Sequence, residues 1–264
     1  MFKILRIGLL SFILLNVALG AWLAKARSTD WDKPLKVVIY GINGDGSTVS
    51  QAYIDQIKSK DNEDTEAFFA DIEAFFAREA KRHGLSLSNP VDVVFAGEIK
   101  ALPPRPPAGG SGLSIVLWSL KLRYWAARNN DYPYPQNVQM YVLFFDPERS
   151  PRLAHSLGLQ KGLIGVVNAF ASKTMKQQNH VVIAHELLHT VGASDKYDAV
   201  SNQPLFPAGY ADPEQRPRYP QRRAEIMAGR MATSAASFRD AQRLKEVVIG
   251  EATAREIKWR QTVD

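Results

Sequence analysis

The chain has 264 residues, 45% of them hydrophobic, enough for one good-sized catalytic domain with a proper core. It has no cysteine, which excludes disulfides, thiol nucleophiles and thiolate-ligated zinc. The formal net charge is +6, with much of the excess in Arg216, Arg218, Arg222, Arg223 and Arg230. No nucleic-acid-binding motif accompanies these arginines, so they are expected to be a solvated loop that also meets anionic headgroups, with no nucleic-acid partner.

Lys3 and Arg6 precede an uncharged run from Ile7 to Ala24. A basic start before an apolar stretch reads as a signal peptide or signal anchor over residues 1–26. The run is longer than a usual signal core and barely long enough to span a bilayer, and Trp22 suits an interfacial position. Ala18-Leu19-Gly20 and Ala24-Lys25-Ala26 both resemble small-x-small cleavage sites. An uncleaved anchor is favoured. Either reading exports residues 35–264, membrane-anchored on the extracytoplasmic side or secreted after cleavage, with 27–34 as a polar tether.

Leu35–Ile42 is expected to be a buried strand. Asn43–Ser47 makes a glycine turn whose spacing fits no phosphate-binding loop, and Ser47 or Thr48 caps the helix that follows. Helical character continues to about residue 83, where Phe68, Phe69, Ile72, Phe75 and Phe76 form one apolar stripe. Val91–Ile99 is a second strand, and Pro103–Gly110 an extended loop. Leu113–Ala127 is a helix, apolar on most sides, that packs on the sheet. Lys121 and Arg123 interrupt it and argue against a second membrane contact. Asn137–Phe145 and Gly162–Phe170 are further strands. Residues 201–224 form a long, proline-rich loop placed to wall a substrate pocket, and 235–259 a closing helix or pair of helices. The layout is α+β, a mixed α/β sandwich.

The chemistry lies in His185-Glu186-Leu187-Leu188-His189. Two histidines four apart share one helix face and can grip one metal ion, while the glutamate reaches a water on it. Val181, Val182, Ile183, Ala184, Leu187, Leu188 and Val191 make the helix apolar, and burying two imidazoles and a carboxylate is costly unless something satisfies them. Gly192 is a natural C-cap, and a sharp turn there brings Asp195 back to the metal. Asp198, Glu214 and Glu225 are alternative third ligands; the prolines around Glu214 argue against the second helix that such a ligand would need. His180, off the ligand face, is expected at the surface or as a capping residue.

The segment through Asp195 resembles the metzincin signature H-E-x-x-H-x-x-G-x-x-H, with aspartate at the last position as in snapalysin-like metzincins. Glu225-Ile226-Met227-Ala228-Gly229 is similar to the Met-turn of that family, with Met227 beneath the metal. The resemblance implies a two-lobed zincin domain with a mixed sheet and an active-site helix, and one catalytic Zn2+ held by His185, His189 and Asp195. It implies Glu186 as the catalytic base, Tyr197 or Tyr210 as oxyanion stabiliser, and an extended polypeptide substrate paired with an exposed edge strand, here Gly162–Phe170 unless that strand is interior. The implied activity is that of a zinc endopeptidase. A membrane-tethered zinc-binding scaffold without turnover and a metal-dependent amidase acting on cell-wall material are the alternatives.

Overall fold

The computed structural model describes residues 29–58, 62–107 and 111–260, with Arg6, Ile7, Gly8, Phe12 and Leu15 from the N-terminal segment. The expected signal anchor otherwise lies outside the described residues. Elements follow in the order β1 (Leu35–Asn43), α1 (Thr48–Lys58), α2 (Asn62–His83), β2 (Val91–Glu98), α3 (Gly112–Arg128), β3 (Val138–Phe145), β4 (Leu157–Leu159), β5 (Ile164–Phe170) and α4 (Lys176–Thr190). Then come β6 (Ala224–Glu225), β7 (Arg230–Ala232), β8 (Phe238–Asp240), a 3-10 turn (Leu244–Glu246), β9 (Val247–Val248) and α5 (Glu251–Glu256). The fold is mixed α/β.

The main sheet has the order β2-β1-β3-β5-β4. Its first four strands are parallel, and β4 runs antiparallel at the edge beside β5. Parallel strands joined by helical crossovers are covered on both faces, which is why β1 reads as a nearly continuous apolar run. Val37 and Ile39 join the core of α1, α2 and α4, whereas Val38, Tyr40 and Ile42 join Leu122 and Ala126 of α3 on the opposite face. Ser47 caps α1, its hydroxyl accepting from the Ser50 amide at 3.0 Å. The aromatic stripe of α2 is buried as its periodicity requires, with Phe69, Ile72, Phe75 and Phe76 all in the core.

Three expectations are corrected. Gly162–Phe170 is not the edge strand: β5 lies between β3 and β4, and the edge belongs to Leu157–Leu159. Residues 235–259 are not a long closing helix. Phe238–Asp240 pairs with Arg230–Ala232, Val247–Val248 pairs with Ala224–Glu225, and only Glu251–Glu256 is α-helical. Strand pairing, local for β7–β8 and long-range for β6–β9, overrides helical periodicity there. Within the expected tether, Thr29 and Trp31 are buried, while Asp30, Asp32, Lys33 and Pro34 are exposed. Trp31 is buried, meets Trp259 edge-on with centroids 5.5 Å apart, and donates from its indole nitrogen to the Ile257 carbonyl at 2.7 Å.

Candidate metal centre

Helix α4 is fixed at both ends. At its start, Asn179 is buried and clamps the end of β5, accepting from the Phe170 amide at 3.0 Å and donating to the Phe170 carbonyl at 2.8 Å. At its end the Gly192 amide bonds the His189 carbonyl at 3.1 Å and the Ala193 amide bonds the Leu188 carbonyl at 3.0 Å. This is a Schellman termination, and Gly192, with φ 108°, occupies the position that tolerates no side chain. The chain therefore turns back, and Asp195 comes over the last turn of the helix.

Three donor atoms meet there. His189 Nε2 is 3.1 Å from His185 Nε2, and Asp195 Oδ1 is 3.2 Å from each. Each imidazole places its other nitrogen on a backbone carbonyl: His185 Nδ1 on Ile226 O at 2.9 Å, and His189 Nδ1 on Ala193 O at 2.8 Å. A carbonyl only accepts, so both Nδ1 atoms carry protons and the Nε2 lone pairs point at one another and at the carboxylate. Two lone pairs and an anionic oxygen in mutual contact repel unless a cation lies among them. Zinc bonds of about 2.0–2.1 Å in a tetrahedral shell set ligand atoms about 3.3 Å apart, so the three donors fit zinc.

Charge points the same way. When the imidazoles are instead protonated at Nε2, burial still works to raise the Asp195 carboxyl, but the hydrogen bonds that His185 and His189 then donate hold it well below the usual carboxylate range. Burial works to lower His189, yet Asp195 and Glu186 bring it above its ordinary value. The pocket thus favours positive charge. Glu186 is buried beside it, and desolvation pushes its carboxyl up against the opposing pull of His185 and His189. A carboxylate raised in this way is a stronger base than an exposed one.

The turn after β6 supports the three donor residues from below. Ile226 O holds His185, while Met227 O accepts the Lys196 amide at 3.0 Å, one residue past Asp195. Met227 itself is wholly buried. The turn is pinned by Glu225, which is fully buried and accepts from the amides of Met227 (2.6 Å), Ala228 (3.1 Å) and Gly250 (3.0 Å) and from the Thr253 hydroxyl (2.7 Å). Glu225 therefore anchors the turn and is not in the donor cluster. Asp198 accepts from Val200 and Ser201 in a local turn, and Glu214 is exposed beside Arg216. Among the described residues, the His185, His189 and Asp195 group is the one whose acidic and imidazole atoms converge as metal donors do.

A cavity of about 370 Å³ opens beside the cluster, lined by His185, Glu186, His155, Asn168, Tyr197 and Arg230 among others. Tyr197 lies close enough to Asp195 that burial and then that carboxylate raise its hydroxyl pKa. Tyr210 is absent from the lining; its hydroxyl is 3.1 Å from that of Tyr219. None of residues 201–224 lines the cavity, so the expected wall is not there. The wall comes instead from residues 153–156, which lead into β4, and from residues 228–230 and 240–241.

Two features of the site carry no local sequence signal. Glu256 accepts from Lys196 Nζ at 2.7 Å and from the Ser194 amide at 3.0 Å, clamping the ligand turn from 60 residues away. Gly158 on β4 touches α4 directly: a Cβ there would meet the Glu186 carbonyl and stand 2.5 Å from His189 Cβ. Neither obstacle is a flexible side-chain end. Gly158→Ala is expected to cost about 1–3 kcal/mol by overpacking and to weaken zinc binding by shifting His189, read by urea denaturation and metal titration.

His180 differs from expectation. It is fully buried on α4 between Phe68 and Phe69, with centroids 5.6 and 5.8 Å away, because α2 packs across this face. Burial lowers its pKa to about 4. A depressed imidazole makes the unfolded chain the better proton binder between about pH 6.5 and pH 4. Stability is therefore full above pH 6.5 and falls towards pH 4, by on the order of 3 kcal/mol. His180→Leu is expected to flatten that slope, measured by urea denaturation across the same range.

No protein-family model matches the chain, and no curated protein matches it at a significant level.

Proposed function

We propose that the chain is a zinc-dependent endopeptidase in which His185, His189 and Asp195 hold the ion and Glu186 is the general base. The observation that carries this reading is the convergence of two imidazole nitrogens and one carboxylate oxygen, each within 3.2 Å of the others, beside a buried glutamate. Zinc held there would supply Lewis acidity that activates water and polarises the scissile carbonyl. Glu186 takes a proton from the attacking water as the new C–O bond forms. It returns that proton to the amide nitrogen as the C–N bond breaks, and ends as it began. Tyr197, on the cavity wall, would donate a hydrogen bond to the oxygen that gains charge. Asp195 adds a negative charge that a third histidine would not, so the centre is less electrophilic than a three-histidine site.

The substrate we infer is an extended polypeptide. A sheet edge has unpaired amides and carbonyls and can take a further strand. Here the edge is β4, and Gly158 allows it to lie directly on the helix that carries Glu186. The aspartate third ligand and the turn around Met227 support the metzincin resemblance. A two-lobed arrangement belongs to the same reading, with the sheet on one side of α4 and the segments around β6 and β9 on the other. In this reading the domain is exported and held at the membrane by its N-terminal segment. Purified full-length protein should cleave an unfolded polypeptide, lose that activity to a chelator and regain it with zinc. Cleavage that persists undiminished after the metal is removed would end this reading.

A further inference from the structure

Helix α3 covers one face of the sheet and leaves its own outer face bare. Leu122 and Ala126 are buried against Val38, Tyr40, Ile42, Tyr141 and Leu143. On the opposite side Leu113, Val116, Leu117, Leu120 and Tyr124 are between 53% and 69% exposed. At 100° per residue these five fall within about 100° of one another, a continuous apolar stripe about 150° around the helix from the buried face. Lys121 and Arg128, both exposed, lie along one margin of that stripe, and Arg123, half-buried with its Nε enclosed beside Gly162, along the other. The cations that interrupt the apolar run in sequence therefore border it in space.

We propose that this face of α3 lies in the surface of an anionic lipid bilayer. An apolar stripe bordered by cations is the pattern of a helix that rests in the interface, its apolar side among the acyl chains and its cations on the headgroups. The helix lies on the membrane and does not cross it. Its 17 residues span about 25 Å at 1.5 Å per residue, less than a hydrocarbon core of about 30 Å. No helix among the described residues is long and apolar enough to cross. Tyr124, with the Arg128 guanidinium 5.9 Å from its ring centroid, is an amphipathic pair of the kind found at headgroup level.

The path of the chain into β1 adds to this. The uncharged run Ile7–Ala24 joins the domain at Thr29, and Asp30–Lys36 line one cavity with Pro135–Asn137, the segment into which α3 leads. The Lys36 and Asn137 backbones are bonded there, Asn137 N to Lys36 O at 2.9 Å. The chain thus enters β1 at the end of the sheet to which the segment after α3 returns. Because α3 and α4 occupy opposite faces of that sheet, docking through α3 leaves the metal cleft clear of the bilayer. This inference does not depend on the metal chemistry.

The chain has no cysteine, so single cysteines can be placed and labelled with an environment-sensitive fluorophore. Full-length protein carrying Leu117→Cys, Leu120→Cys or, as a control on a distant loop, Val200→Cys is reconstituted into vesicles of equal parts phosphatidylglycerol and phosphatidylcholine. Spin-labelled lipid should quench the probes at 117 and 120 by about twofold or more and leave the probe at 200 unaffected, with iodide doing the reverse. Lys121→Glu with Arg128→Glu should reduce the lipid quenching at 117. Iodide quenching at 117 equal to that at 200 would overturn the proposal. So would shielding of 117 from both quenchers, because the face would then be covered by protein, either residues 1–28 or a second copy of the chain.

Discussion

Glu186→Gln is expected to keep zinc and lose about 10³-fold in kcat. The substitution preserves shape and removes the group that can accept a proton. Glu186 is not among the three converging donors, so metal content should stay at the wild-type value. Replacing a buried carboxylate whose pKa is raised by desolvation with a neutral amide should also leave stability unchanged or slightly improved. The measurement is zinc content and initial rate on the same sample. A variant that kept full metal and full activity would remove Glu186 from the chemistry, and one that lost metal would make it a ligand.

Removing one donor should act differently. Asp195→Ala is expected to weaken zinc binding by more than about 100-fold, beyond the loss usual for a residue that only orients a ligand. Zinc that binds the folded chain and not the unfolded one raises Tm by mass action. The wild type should therefore melt higher in added zinc, and the variant should not respond at the same concentration. Asp195→His supplies the informative contrast. A neutral third ligand restores the donor count and removes one negative charge from the site. Zinc should be retained, and the acid limb of the pH–rate profile should move to lower pH. If Asp195→Ala bound zinc as tightly as the wild type, the third ligand would lie elsewhere.

The site was legible in the sequence to the extent that it is local. His185, Glu186 and His189 are fixed relative to one another by one helix, and Gly192 with Asp195 by the turn that ends it. The four-residue spacing and one glycine therefore suffice to place them. The turn around Met227 was legible for a similar reason, since Gly229 with φ 66° closes it within five residues. What was hidden is set by distant packing. Strand β4 is three residues long, too short for any alternation to register, yet it forms the edge beside the cleft. His180 looks like a surface residue until α2, about 100 residues earlier, places Phe68 and Phe69 around it. Phe238, Ala241, Leu244 and Val248 recur as on a helix, but Phe238 pairs with β7, Val248 pairs with β6 and Leu244 opens a 3-10 turn. Arg230 belongs to the sequence's arginine excess, yet its guanidinium stacks 4.7 Å from the Tyr197 ring centroid in the cleft.

Elemental analysis of the purified, folded protein after exposure to zinc and removal of free ion decides whether the three converging side chains are a metal centre. One zinc per chain, lost in Asp195→Ala and retained in Glu186→Gln, is the expected result. A folded wild-type chain that holds no stoichiometric metal under those conditions would contradict it.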